Sequence, residues 1–256
     1  MAKTKKKQDS LDTTMSLGDH LEELRMRLFL ALGGVLVAVI ICLIPFFFKY
    51  IRSFIYYPHD KVMPEISLVA LAPADPFIVY LKIALIAGLI ISSPWAFYQL
   101  WMFVAAGLYP HERRYVHIAV PFSTVLFVTG ALFFLYIVAP ISLRFFLKFG
   151  EFIDVAPNWT LQKYISFITV LMLVFGIAFQ TPIAIFILNR TGLVSIQALR
   201  AARKFVLLGV FIVAAMATPP DPISQVTLAI PLYCLFELGI LLSYLANRRK
   251  SSQNNQ

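Results

Sequence analysis

The chain has 256 residues, of which 60% are hydrophobic and only 14% charged, and its mean hydropathy is +0.80. Soluble domains carry roughly 45–50% apolar residues, so this composition excludes a soluble enzyme and reads as an all-α polytopic membrane protein. The formal net charge of +9 does not point to nucleic acid, because no Lys/Arg stripe interleaved with aromatics lies in a soluble segment.

In chain order, residues 1–15 form a disordered basic N-terminus with Lys3, Lys5, Lys6 and Lys7. A cleaved signal peptide does not fit. The first apolar run begins only at Leu28 and lacks a small-residue cleavage site. Ser16–Arg27, reading S-L-G-D-H-L-E-E-L-R-M-R, comes directly before that run. Its acids Asp19, Glu22 and Glu23 sit where membrane proteins usually keep lysine and arginine. The segment reads as an amphipathic helix capped by Ser16, with Leu17, Leu21, Leu24 and Leu28 on one stripe. Two readings of its acids stand. Glu23 with Arg27 and Glu22 with Arg25 are helical ion pairs that satisfy one another. Alternatively, the carboxylates receive a cationic ligand.

Apolar runs place the spans at about 28–48, 77–97, 118–139, 164–188, 205–217 and 223–244 within a single domain, 16–247. A helix of ~20 residues crosses a ~30 Å hydrocarbon layer, and helix is required because lipid cannot satisfy backbone groups. The last two spans are short, and 205–217 reaches only ~20 Å at 1.5 Å per residue. Basic residues then orient the chain. One face receives the lysine-rich N-terminus, Arg25, Arg27, Arg113, Arg114, Arg190, Arg200, Arg203, Lys204 and the basic tail, 248–256, read as disordered. The opposite face mixes lysines and arginines with Asp60, Glu65, Asp75, Glu151 and Asp154. The first face is therefore cytoplasmic, with both termini inside and six spans, which places the chain in a cytoplasmic (inner) membrane.

The connection Lys49–Pro76 holds Pro58, Pro64, Pro73 and Pro76, and reads as an ordered outer cap. Cys42 and Cys234 lie in apolar runs and read as packing residues. No P-loop, H-E-x-x-H or G-x-S-x-G motif occurs, and the histidines lack the spacing of a metal pair. Catalysis, a metal and a cofactor are all unexpected. Two intramembrane polar residues remain, Gln180 and Glu237. Such groups should face protein or water, and they keep open a second reading, a secondary transporter of a small solute or ion.

Three segments carry a resemblance. H-L-E-E-L-R-M-R (His20–Arg27) precedes the first span, and F-V-A-A-G-L-Y-P-H-E-R-R (Phe103–Arg114) joins the second to the third. T-P-P-D-P-I-S-Q (Thr218–Gln225) leads into A-I-P-L-Y-C-L-F-E (Ala229–Glu237). Their order and sides resemble the TatC family, the signal-receptor subunit of the twin-arginine protein translocase. The resemblance covers about residues 16–250. It implies export of folded proteins with TatA/TatB-type single-span partners, driven by the protonmotive force, and self-association in a larger complex. Carried over by motif, Glu23 and Glu112 receive the signal peptide's arginines, and Arg25 and Phe103 shape that surface. Thr218, Gln225 and Gln180 fall where relatives meet a partner helix. Tyr136, Pro140, Asp221 and Glu237 match other characteristic positions. Several relatives carry glutamate where this chain has Gln180, so a role that needs a charge there is in doubt, while a hydrogen-bonding role survives.

Overall fold

A computed structural model describes residues 17–106, 113–217 and 222–253. Among these the chain is helical, and the only pairing of extended segments is an isolated parallel bridge between Val69 and Thr160. The helices are α1 (Leu17–Leu43), α2 (Pro45–Val62), α3 (Asp75–Ile91), α4 (Ser93–Ala106), α5 (Arg113–Phe133), α6 (Ala139–Phe152), α7 (Leu161–Ala178), α8 (Thr181–Arg190), α9 (Ile196–Ala201), α10 (Arg203–Ala217) and α11 (Pro222–Gln253). Among the described residues, Leu21–Leu43, Ile118–Phe152, Leu161–Arg190 and Leu228–Leu245 are long and apolar enough to cross a membrane. The pair α3 and α4, bent by 55° at Ser92, is long and apolar enough only when taken together, as a broken span or a re-entrant loop. The 15 residues of α10 rise only about 22 Å.

Prolines set the breaks. The first span was expected to run to 48, but α1 stops at Leu43. Ile44 is extended (φ −65°, ψ 128°) and Pro45 opens α2, because proline disfavours helix in the residue before it and fits the first helical turn. Pro94 follows the bend at Ser92, and Pro182 follows the break at Phe179–Gln180 between α7 and α8. Pro140 acts differently. It has no N–H for the Tyr136 carbonyl, and the chain between α5 and α6 widens into a π segment, Phe134–Val138. The helix continues through that segment instead of breaking. At the far end, α11 runs on to Gln253, past the expected end of its span at 244.

The connection read as a cap folds into α2 and an extended stretch. Tyr164 O–H donates to the Ile55 carbonyl of α2 at 3.2 Å, and Tyr80 O–H donates to the Leu43 carbonyl. Val69 N–H donates to Trp159 at 3.0 Å, and Leu161 N–H donates back to Val69 at 2.9 Å. Asp75, buried at the start of α3, accepts from the N–H groups of Leu71 and Ala72 at 2.9 and 3.0 Å. That carboxylate closes the turn and lies at the helix N-terminus, where negative charge is favoured.

The main core gathers below this cap. Phe134, Phe175, Leu135, Ile165, Ile168 and Ile83 are fully buried there, between α3, the π segment and α7. α1 packs along a single stripe, and the stripe is not the leucine one. Leu21, Leu24 and Leu28 are exposed. The packed face runs instead through Ala38 and Cys42, with Cys42 against Ala84 and Ala87. Two glycines permit the approach. A Cβ on Gly88 would lie 2.8 Å from the Val39 Cα, and a Cβ on Gly34 would enter the Trp95 indole. Cys234, expected to pack, is exposed on α11.

Candidate receptor surface at the start of the first span

Polar side chains gather where α1 begins and α4 ends. The two helices run antiparallel in a register that three contacts define. Val39 faces Gly88, Trp95 Nε1 donates to the Leu30 carbonyl at 2.8 Å, and Arg27 Nη1 donates to Gln99 Oε1 at 3.2 Å. Residue numbers fall along α1 as they rise along α3 and α4. One further turn brings Glu23 to the level of Phe103, because Gln99 and Phe103 stand four apart on one helix face.

Glu23 is therefore not a free surface acid. Its Oε1 accepts from Arg27 Nη2 at 3.3 Å. Its Oε2 is enclosed by protein and has no hydrogen-bond partner among the described residues. The two side chains retain only 21% and 24% exposure, and Gln99 beneath them retains 2%. A buried acceptor without a donor costs about 1–3 kcal/mol. The carboxylate is thus half answered, and a donor group from outside would complete it only once the side chains enclosing Oε2 move aside. Arg25 points the other way, with its guanidinium over the Phe29 ring at 5.8 Å. Glu22 is exposed, as is Arg25. Phe103 is half-buried. Glu112 lies outside the described residues, so the meeting of the two expected acids is not seen.

The remaining polar positions are dispersed. Gln180 stands at the start of α8 and donates from Nε2 to the Ser123 carbonyl of α5 at 2.8 Å. Ser123 Oγ in turn accepts from Trp101 Nε1 at 2.8 Å. A hydrogen-bonding side chain thus suffices to tie the α7–α8 break to α5 and α4. Gln225 bridges the last pair of helices, donating from Nε2 to the Phe211 carbonyl at 2.8 Å. Thr218 and Asp221 lie outside the described residues. Tyr136, in the π segment made by Pro140, holds α2 through its ring contacts with Tyr57 and Phe54 at 4.7 and 5.6 Å. It is a docking point for the cap.

Glu237 has two donors, Arg203 Nη2 at 2.8 Å and Tyr233 O–H at 2.9 Å. Arg203 opens α10, and Glu237 lies 15 residues into α11, about 22 Å from its start. The pair therefore joins α11 to the start of α10, so both of Glu237's acceptor oxygens are answered within the fold. Inspection of the sequence missed Arg27, Gln99, Arg203 and Tyr233. Arg27 was recognised only as a helical neighbour of Glu23. Tyr233, four residues before Glu237, was open to the same pattern. The contacts across 72 and 34 residues carry no sequence signal.

Long, proline-broken helices whose exposed sides are apolar define a multi-pass membrane protein. Residues 19–231 match the family model for the Sec-independent protein translocase protein TatC. The chain is 38% identical over 237 residues to the Sec-independent protein translocase protein TatC of Aquifex aeolicus, covering 92% of this chain and 98% of that one. The Escherichia coli K12 protein of the same name is also 38% identical, over 91% of this chain and 90% of its own length. A crystal structure described as the twin arginine translocase receptor TatC superposes with a TM-score of 0.80 at 37% identity, over 89% of this chain and 99% of that one. The chain belongs to the TatC family of Sec-independent protein translocases.

Proposed function

We propose that this chain is the receptor and core scaffold of a twin-arginine translocase, and that Glu23 receives an arginine of the signal peptide. The observation that supports this is the Glu23 carboxylate, anchored through Oε1 while its enclosed Oε2 has no donor among the described residues. Guanidinium presents two parallel N–H groups to a carboxylate, which lysine cannot do. Glu112 supplies the second carboxylate, and Arg25 and Phe103 border the surface. Two charge-assisted contacts give about 3–6 kcal/mol together, and a micromolar complex needs about 8. The signal's apolar segment therefore also packs against a span.

The chain forms one six-span domain, 16–247, with α10 as a short fifth span and both termini in the cytoplasm of an inner membrane. TatA/TatB-type single-span partners contact Thr218, Gln225 and Gln180, the complex contains several copies, and the protonmotive force drives export. The test is photo-crosslinking from Leu21 or Phe103 to a twin-arginine precursor in membranes. Glu23→Gln removes the crosslink while the protein remains inserted. Equal crosslinking with and without that substitution refutes the assignment.

A further inference from the structure

Arg27 occupies part of the place that a ligand guanidinium would take. Its two terminal nitrogens are divided, Nη2 on Glu23 Oε1 at 3.3 Å and Nη1 on Gln99 Oε1 at 3.2 Å. Charge-assisted N–H···O bonds of full strength run at about 2.7–2.9 Å. The Glu23–Arg27 pair is therefore long and single-pronged, and it leaves Oε2 enclosed and unanswered among the described residues. Gln99 is almost wholly buried and fixed to α4, so it can keep Arg27 once Glu23 lets go.

We infer that Arg27 is a built-in competitor for the carboxylate of Glu23, released onto Gln99 when a ligand arginine arrives. This rests on the reading of Glu23 as an arginine receptor and adds a regulator to it. An incoming guanidinium donates to both oxygens of Glu23, and Arg27 gives up one long bond while keeping its amide partner. A ligand ammonium offers a point charge in place of a planar fork, so it displaces Arg27 at a loss. The competitor lowers both affinities by the same factor, so it sets a threshold that the stronger, two-pronged arginine contact clears and the lysine contact does not. It also keeps the receptor carboxylate paired when no signal is bound.

The experiment titrates the full chain in detergent with two fluorescent signal peptides, one carrying paired arginines and one paired lysines. Arg27→Met retains the length of the stem and removes the charge. It tightens binding of the arginine peptide by about two- to fivefold, the strength of a partly exposed helical ion pair, and tightens the lysine peptide by the same factor. The ratio between the two peptides is therefore unchanged while both bind more tightly. Arg27→Lys, which keeps the charge but not the fork, lies between wild type and Arg27→Met. In a Glu23→Gln background, Arg27→Met has no effect on either peptide. Shielding of the Cys42 thiol reports that each variant is folded. If Arg27→Met weakens the arginine peptide or leaves it unchanged, while Glu23→Gln still impairs it, the competitor role is overturned and the receptor reading stands. If Glu23→Gln leaves binding intact, the receptor reading itself fails.

Discussion

The contact between Arg203 and Glu237 permits a quantitative test of how the short helix α10 is held. Glu237 accepts from Arg203 at 2.8 Å and from Tyr233 at 2.9 Å, with side-chain exposures of 46% for Arg203 and 33% for Glu237. A charge-assisted bond is worth about 1.5–3 kcal/mol when shielded, and an exposed ion pair about 0–1. At this intermediate exposure the coupling is about 1 kcal/mol. The single substitutions are unequal. Glu237→Gln leaves an arginine at a helix end, where its long stem reaches the interface, and costs under about 1 kcal/mol. Arg203→Gln leaves a carboxylate with only the Tyr233 hydroxyl, and costs about 1–2 kcal/mol. The double variant is milder than the sum of the two by the coupling. Thermal unfolding in detergent, followed by labelling of the buried Cys42 in a Cys234→Ser background, measures all four corners of the cycle. Additivity within about 0.3 kcal/mol, or a larger loss from Glu237→Gln than from Arg203→Gln, refutes the reasoning.

Two further outcomes are expected in the same assay. Gly88→Val drives a side chain to 2.8 Å from the Val39 backbone, so it destabilises by about 1–3 kcal/mol and raises Cys42 labelling as α1 separates from α3. Gly33→Val, which meets nothing within 4 Å, does neither. Asp75→Ala strands the N–H groups of Leu71 and Ala72 and costs about 1–3 kcal/mol, whereas Asp75→Asn keeps an acceptor and recovers most of that loss.

Much of this protein was determined by its sequence alone. Apolar run length identified the membrane segments, and the single-turn motifs around Glu23, Phe103 and Thr218 identified the family. Pro45, Pro94 and Pro182 stand at the breaks beside Ile44, Ser92 and Gln180, whereas the spans expected from apolar runs, 28–48, 77–97 and 164–188, continue through all three. Such features are local, and a helix in lipid must satisfy its backbone locally. Which face of each helix packs was decided only by the tertiary structure. Leu21, Leu24 and Leu28 share a stripe on α1 that is exposed, while Ala38 and Cys42 take the contact. In water an apolar stripe finds the core, but lipid is as apolar as leucine, so close approach of small side chains selects the packed face. The same packing brings Gln99 to Arg27 and Arg203 to Glu237. Partners that far apart in the chain meet only because antiparallel helices settle into one register; for α1 against α3 and α4, Gly88 lets the backbones close and Gly34 admits the Trp95 indole.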